Sequence, residues 1–178
     1  MIATIWLHHV LREAVATPYR NLVTRSTGAA VRGRIEAVLA GSGCRTAVLD
    51  FSEVACLDFS CADEIVAKLL LASAEPGLVV VLRGVRDDLR EAIEHVLIHH
   101  RLAVAAWLPG GEAALLGWAS DDARAAFAAL LGAGGATASD LAERLGWTPE
   151  RAHAALADLE AHRLAGRAGD RFAPLTPP

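Results

Sequence analysis

Short apolar runs alternate with helix-spaced apolar positions along the first two thirds of the chain. TIWL near the N-terminus, TAVLDF (46–51), GLVVVL (77–82) and AVAAWL (103–108) are short and bounded by turn or charged residues, as buried strands are. Between them the spacing lengthens. Residues 28–40 put Val31, Ile35, Val38 and Leu39 on one face with Arg32, Arg34 and Glu36 turned away, which predicts a helix capped by Ser26 or Thr27 and followed by Gly41. After Ser60, residues Ala62, Ile65, Val66, Leu69 and Leu70 recur at i, i+3, i+4, i+7 and i+8, with a Glu64–Lys68 pair expected on the outer side. Residues 87–100 place Leu89, Ile93, Val96 and Leu97 inward, with acids at the start and histidines at the end, as the helix dipole favours. PGG (109–111) is a turn, after which AALLGW is expected to pair back as an edge hairpin. Strands alternating with helices predict an α/β layer on a largely parallel sheet.

The pattern changes near residue 120. Residues 121–132 present Phe127, Leu130 and Leu131. ATASDLAERLGW predicts a short helix opened by Thr137 or Ser139 and closed by Gly146. Thr148 caps a third helix with Pro149 at its first position and Ala152, Leu156 and Leu159 inward. LAGRAGDRFAPL predicts a hairpin around Gly169-Asp170, and the tail PLTPP is expected to be disordered. The organisation expected is a first domain over 1–118 and a second over 120–178. Helix, helix, turn, helix, hairpin is the order of a winged helix-turn-helix.

Composition narrows the function classes. Hydrophobic residues are 53% of the 178, much of that share alanine, so a core can be filled with modest area per residue. Seventeen basic residues against 21 acidic give a net charge of −4, no general attraction to nucleic acid or to an anionic membrane. Cys44, Cys56 and Cys61 form no CxxC pair, which suggests a reducing compartment and packed thiols. The N-terminal apolar run has no basic region before it and is short for a signal peptide, and charges such as Lys68 interrupt every long apolar stretch. A cytoplasmic protein that does not enter the membrane is expected.

TAVLDFSEVACLDFSCADEIVAKLL resembles the central segment of STAS domains, the family of bacterial anti-sigma factor antagonists. That pattern is an apolar strand ending in Asp, a loop with Val, then Asp-Ser-Ser-Gly opening a helix. TRSTGAAVRGRIEAVL resembles the family's first helix, and the likeness spans roughly residues 2–108. It is closer to STAS-like proteins of unassigned function that carry Ala-Asp-Glu at the helix start. The resemblance implies a STAS-like sheet with flanking helices and a protein partner, an anti-sigma factor or a kinase-like regulator. By position Asp58 matches the family's Asp, and Ser60 the serine that partner kinases phosphorylate. Phe59 stands where the first serine would be, Cys61 replaces the glycine, and Asp63 replaces a small residue. A phosphate on Ser60 would gain from the helix N-terminus but would sit beside Asp58, Asp63 and Glu64. Ser60-x-x-Asp63 is also close to a capping box, so Ser60 is expected to be a helix cap first, with Asp58, Ser60, Asp63 and Glu64 forming a contact surface.

Other candidates are weaker. Glu91, His95 and His99 share a helix face, but no further ligand completes a metal site, and no metal or other cofactor is expected. His8 and His9 are expected at the surface. Cys61, at a helix start, is expected to be a packed thiol rather than a reactive one. No nucleophile–base–orienter set and no Gly-rich phosphate loop is visible, and an enzyme is not expected. In the second domain Arg151 lies on the outward helix face with Glu150, His153, Ala154, Ala157, Asp158 and Ala161, and Arg163, Arg167 and Arg171 suit phosphate contact. Residues 121–178 nevertheless hold six arginines and no lysine against eight acids, a net of −2. The leading expectation is a non-enzymatic regulator whose first domain engages a protein and whose second adds docking or dimerisation. Its rival is a DNA-binding transcription factor with the first domain as sensor. A protein, DNA and a second copy of the chain all stay open as partners.

Overall fold

The computed structural model describes residues 2–15, 20–72 and 78–175, and the chain divides after Trp118 into two compact units. The first is mixed α/β. Strand β1 (Ile2–Trp6) leads into α1 (Leu7–Val15); the two-residue β2 (Asn21–Leu22) precedes α2 (Arg25–Ser42), and β3 (Thr46–Asp50) follows. The chain then passes through β4 (Cys56–Leu57) into a helix built of three parts: α3 (Phe59–Ala62), a π turn (Asp63–Ala67) and α4 (Lys68–Ala72). Strand β5 (Val79–Arg83), helix α5 (Asp87–His99), β6 (Ala103–Trp107) and β7 (Ala113–Gly117) complete the unit.

The central sheet has the order β1-β3-β5-β6-β7. The first four strands are parallel, and β7 returns antiparallel to β6 as the edge hairpin that AALLG predicts. The core lies between one face of this sheet and the helices: Ile5, Leu49, Leu82 and Leu116 from the strands meet Val31, Ile35, Ile65, Leu69, Ile93 and Leu97 from the helices. These are the alternate strand positions and the helix stripe that the two periodicities mark.

Several boundaries depart from the pattern. Helix α1 is absent from the sequence expectation: TIWL takes Leu7 into the strand, whereas β1 ends at Trp6 and Leu7, Val10 and Leu11 form the buried stripe of a helix. Helix α2 begins at Arg25, and its cap is Thr24 rather than Ser26 or Thr27, the Thr24 hydroxyl accepting the Thr27 N–H at 3.4 Å. The first residue of GLVVVL lies outside the described residues.

The second unit runs α6 (Asp121–Ala133), β8 (Ala136–Thr137), α7 (Ala138–Leu145), α8 (Pro149–Ala161), β9 (Ala165–Ala168) and β10 (Arg171–Pro174), with a three-stranded sheet in the order β8-β10-β9. Its helix ends follow local rules. Thr137 and Asp140 form a reciprocal capping box, Thr148 caps α8 with Pro149 at its start, and Gly146 closes α7 at φ 64°. Phe127, Leu130, Leu141, Leu156, Leu159 and Phe172 form its interior. Residues 176–178 of the PLTPP tail lie outside the described residues. No helix among the described residues is long and apolar enough to cross a membrane.

Candidate functional site

Strands β2 and β4 pair in parallel and bring residues 20–24 against residues 55–58, with Leu22 accepting the Asp58 N–H at 3.0 Å. Arg86, ahead of α5, holds the neighbouring loop by donating to the Val54 carbonyl at 2.8 Å. On this base Asp58 becomes the cap of α3. One carboxylate oxygen accepts the Cys61 N–H at 2.7 Å and the Ser60 hydroxyl at 2.8 Å; the other accepts the Thr24 N–H at 2.8 Å. Burial alone would raise the Asp58 pKa, but the bonds from Cys61, Thr24 and Ser60 outweigh it and hold the group below the usual carboxylate range.

Ser60 is therefore not the cap, contrary to the spacing. An ionised carboxylate two residues earlier is the stronger acceptor for the helix-start N–H, and it takes the serine hydroxyl as a donor as well. The Ser60–Asp63 capping box does not form. Asp63 instead accepts from Arg25 at 2.8 Å and meets His100 Nε2 at 2.8 Å, with Lys68 at 3.7 Å.

Asp58 also stabilises a costly backbone. Thr24 sits at φ 73°, a region that β-branched residues avoid. Its N–H is tied to Asp58, and its carbonyl accepts from the Cys61 thiol at 2.9 Å and from the Gly28 N–H at 3.1 Å. Burial, then the Asp58 charge, pushes the Cys61 thiol up to about 12, which makes it an unreactive packing group. At Gly28 the two helices touch: a Cβ there would lie 2.9 Å from the Cys61 Cα and 3.0 Å from the Glu64 Cβ.

Glu64 is buried, not on the outer side. It pairs with Lys68 as the spacing predicts, but Arg25 at 3.0 Å and Arg32 at 3.2 Å also converge on it from α2. The apolar stripe Ala62, Ile65, Val66 and Leu69 is buried as its spacing predicts, and Glu64, in the π turn, is buried beside it. Burial would raise the Glu64 pKa, yet the bonds from Lys68 and Arg25 keep it lowered; Asp63 is lowered likewise, its burial outweighed by Arg25 and His100.

The result is an open depression of about 410 Å³ between α2, α3 and α5. Arg25, Ser60 and Asp63 line one side, and His95, His99 and His100 the other. Phe59, 49% exposed, stands at its rim with its ring 4.9 Å from that of His95. The histidine face of α5 is thus turned to an aromatic ring and to Asp63. Among the described residues no group of three or more His, Cys, Asp or Glu is placed to hold a metal ion. His9 is exposed on α1, whereas His8 is half-buried beside Trp6, with burial and then the neighbouring His9 lowering its pKa.

Of the four residues expected to form one contact surface, Ser60 and Asp63 line the depression, Asp58 caps the helix behind them, and Glu64 is buried. Sequence reasoning missed Thr24, Arg25, Arg32 and His100. Arg25 and Thr24 lie more than 30 residues from their carboxylate partners, and no local spacing links them.

Arg151, Arg167 and Arg171 of the second unit have partners within that unit. Arg151 forms a two-bond pair with Asp122 at 2.9 and 2.7 Å and lies 4.4 Å over the Trp147 ring. Arg167 donates to the Gly169 carbonyl at 2.8 Å and lies 5.4 Å over Phe172. Arg171 donates to the Gly135 carbonyl at 2.8 Å, and Arg163 sits half-buried just past α8 at φ 57°. No family model and no curated protein matches the chain.

Proposed function

We propose that the first unit is a STAS-like module that docks a regulatory protein through the corner around Phe59, and that the chain is a non-enzymatic regulator of the anti-sigma-antagonist kind. Phe59 carries the reading. A half-exposed phenylalanine at a helix start, beside a depression ringed by Arg25, Asp63 and three histidines, offers an apolar anchor within a polar rim, the anatomy of a protein interface. The partner is a protein of the anti-sigma-factor or kinase-like class, as the resemblance implies. Ser60 serves this surface unphosphorylated: its hydroxyl is engaged by Asp58, and a phosphate there would stand against that carboxylate.

For the second unit the order helix, strand, helix, helix, strand, strand supports a winged helix-turn-helix-like module. Docking fits it better than DNA binding. Arg151, Arg167 and Arg171 are each engaged inside the unit, and phosphate contact would compete with those bonds. The test is in-cell photo-crosslinking. A photoreactive phenylalanine analogue at position 59 should give one discrete protein adduct, and the same group at exposed Arg34 on α2 should give none. Equal, diffuse labelling at both positions would reject the docking corner.

A further inference from the structure

The two edges of the central sheet are finished differently. Edge β7 ends at Gly117, at φ 91°, and the Gly117 N–H is taken by the Glu94 carboxylate at 3.0 Å. Edge β1, Ile2-Ala3-Thr4-Ile5-Trp6, has no charge, proline, glycine or bulge, the features that normally keep an edge from pairing. Among the described residues its one strand partner is β3. Ile2 (44%) and Trp6 (41%) are both exposed on it, with exposed Thr4 between them. These three share the face opposite Ile5, which points into the core.

The segment is self-complementary when paired antiparallel with itself. Centred on Thr4, Ile2 falls opposite Trp6 of the partner subunit, Thr4 opposite Thr4 of the partner subunit, and Ala3 opposite Ile5 of the partner subunit. Aromatic–β-branched and Thr–Thr pairs are among the favourable cross-strand combinations, and no like charges meet. A two-fold axis through Thr4 makes both halves of the contact equivalent, as a closed dimer requires. We propose that β1 pairs with the same edge of a second copy of the chain about this axis, joining two five-stranded sheets into one. The interface uses none of the residues of the docking corner and is independent of that reading.

Sedimentation equilibrium of the full chain should give twice the 18.7 kDa chain mass at micromolar concentration. Thr4→Lys and Thr4→Glu each place like charges across the axis, and each alone should sediment as one chain. An equimolar mixture of the two should regain the double mass, because lysine then faces glutamate. Thr4→Val should keep the double mass, and circular dichroism should show the native fold in all three variants. A wild-type chain of single mass at every concentration would overturn the proposal. So would charged variants that stay double, or folded variants whose mixture stays single. If the charged variants fail to fold, a Thr4→Val chain of single mass would equally overturn it.

Discussion

The corner around Asp58 and the caps of the second unit solve the same local problem by different means. In the second unit Thr137 and Asp140 satisfy each other across three residues, and Thr148 satisfies α8 alone. In the first unit Asp58 caps α3 and at the same time holds Thr24, 34 residues away, in a strained conformation. Around it Arg25 and Arg32 from α2, Lys68 from α4 and His100 just past α5 close on Asp63 and Glu64. A cap in the second unit is an independent part. At the corner the cap, the helix crossing at Gly28 and the rim of the depression are one assembly. Loss of one group at the corner should therefore disturb its neighbours, whereas loss of a local cap should not.

Substituting the caps separates the two designs. Asp58→Ala removes the cap and leaves the Thr24 N–H unpaired, and it should cost about 2–4 kcal/mol in urea unfolding. Thr137→Ala removes one local cap and should cost about 1 kcal/mol. Equal losses would mean that Asp58 is only a cap. Gly28→Ala brings a methyl against the backbone of α3 and should cost about 1–3 kcal/mol, with faster hydrogen exchange in both α2 and α3. A neutral outcome would mean that the crossing at Gly28 is loose.

Acid sharpens the same contrast. Asp58, Asp63 and Glu64 all have folded pKa values below their unfolded ones. Their contribution is therefore complete above the unfolded values, about pH 4, and is lost as pH falls through the lower folded ones. Urea unfolding followed from neutral pH downward should show stability falling below about pH 4. Asp58→Asn should flatten part of that fall, since its amide does not titrate and the Asp58 contribution to the slope is gone. The smallest effect belongs to Ser60→Ala, which removes a donor to Asp58 but not the cap and should cost about 0.5–1 kcal/mol. A larger loss than that of Asp58→Ala would return the cap to Ser60.

What the sequence revealed follows the range of the interaction. Strands β3, β5 and β6 are legible as apolar runs, and the caps at Thr137 and Thr148 as signals within three residues. Strands β2, β4 and β8 are too short to carry any period. At LDFSC two acceptors compete for one helix start, and the capping-box spacing favours the serine; the ionised Asp58 is the stronger acceptor, and its second oxygen takes the N–H of Thr24, which only the fold brings near. Glu64 was legible as a partner of Lys68 but not as a buried group, because Arg25 and Arg32, which meet it there, lie more than 30 residues away on α2. The four carboxyl and hydroxyl residues at the helix start were visible as a cluster, while the cations and histidines that complete it come from α2 and α5.

The most direct test of the docking corner is quantitative affinity purification of the full chain from its native cell, with nucleic acid digested. Wild type would be compared with Phe59→Ser and with Arg167→Ala/Arg171→Ala. The expected result is a stoichiometric protein partner that survives digestion, disappears with Phe59→Ser and is retained by the arginine pair variant. Recovery of nucleic acid that is lost with the arginine variant, together with undiminished binding by Phe59→Ser, would contradict it.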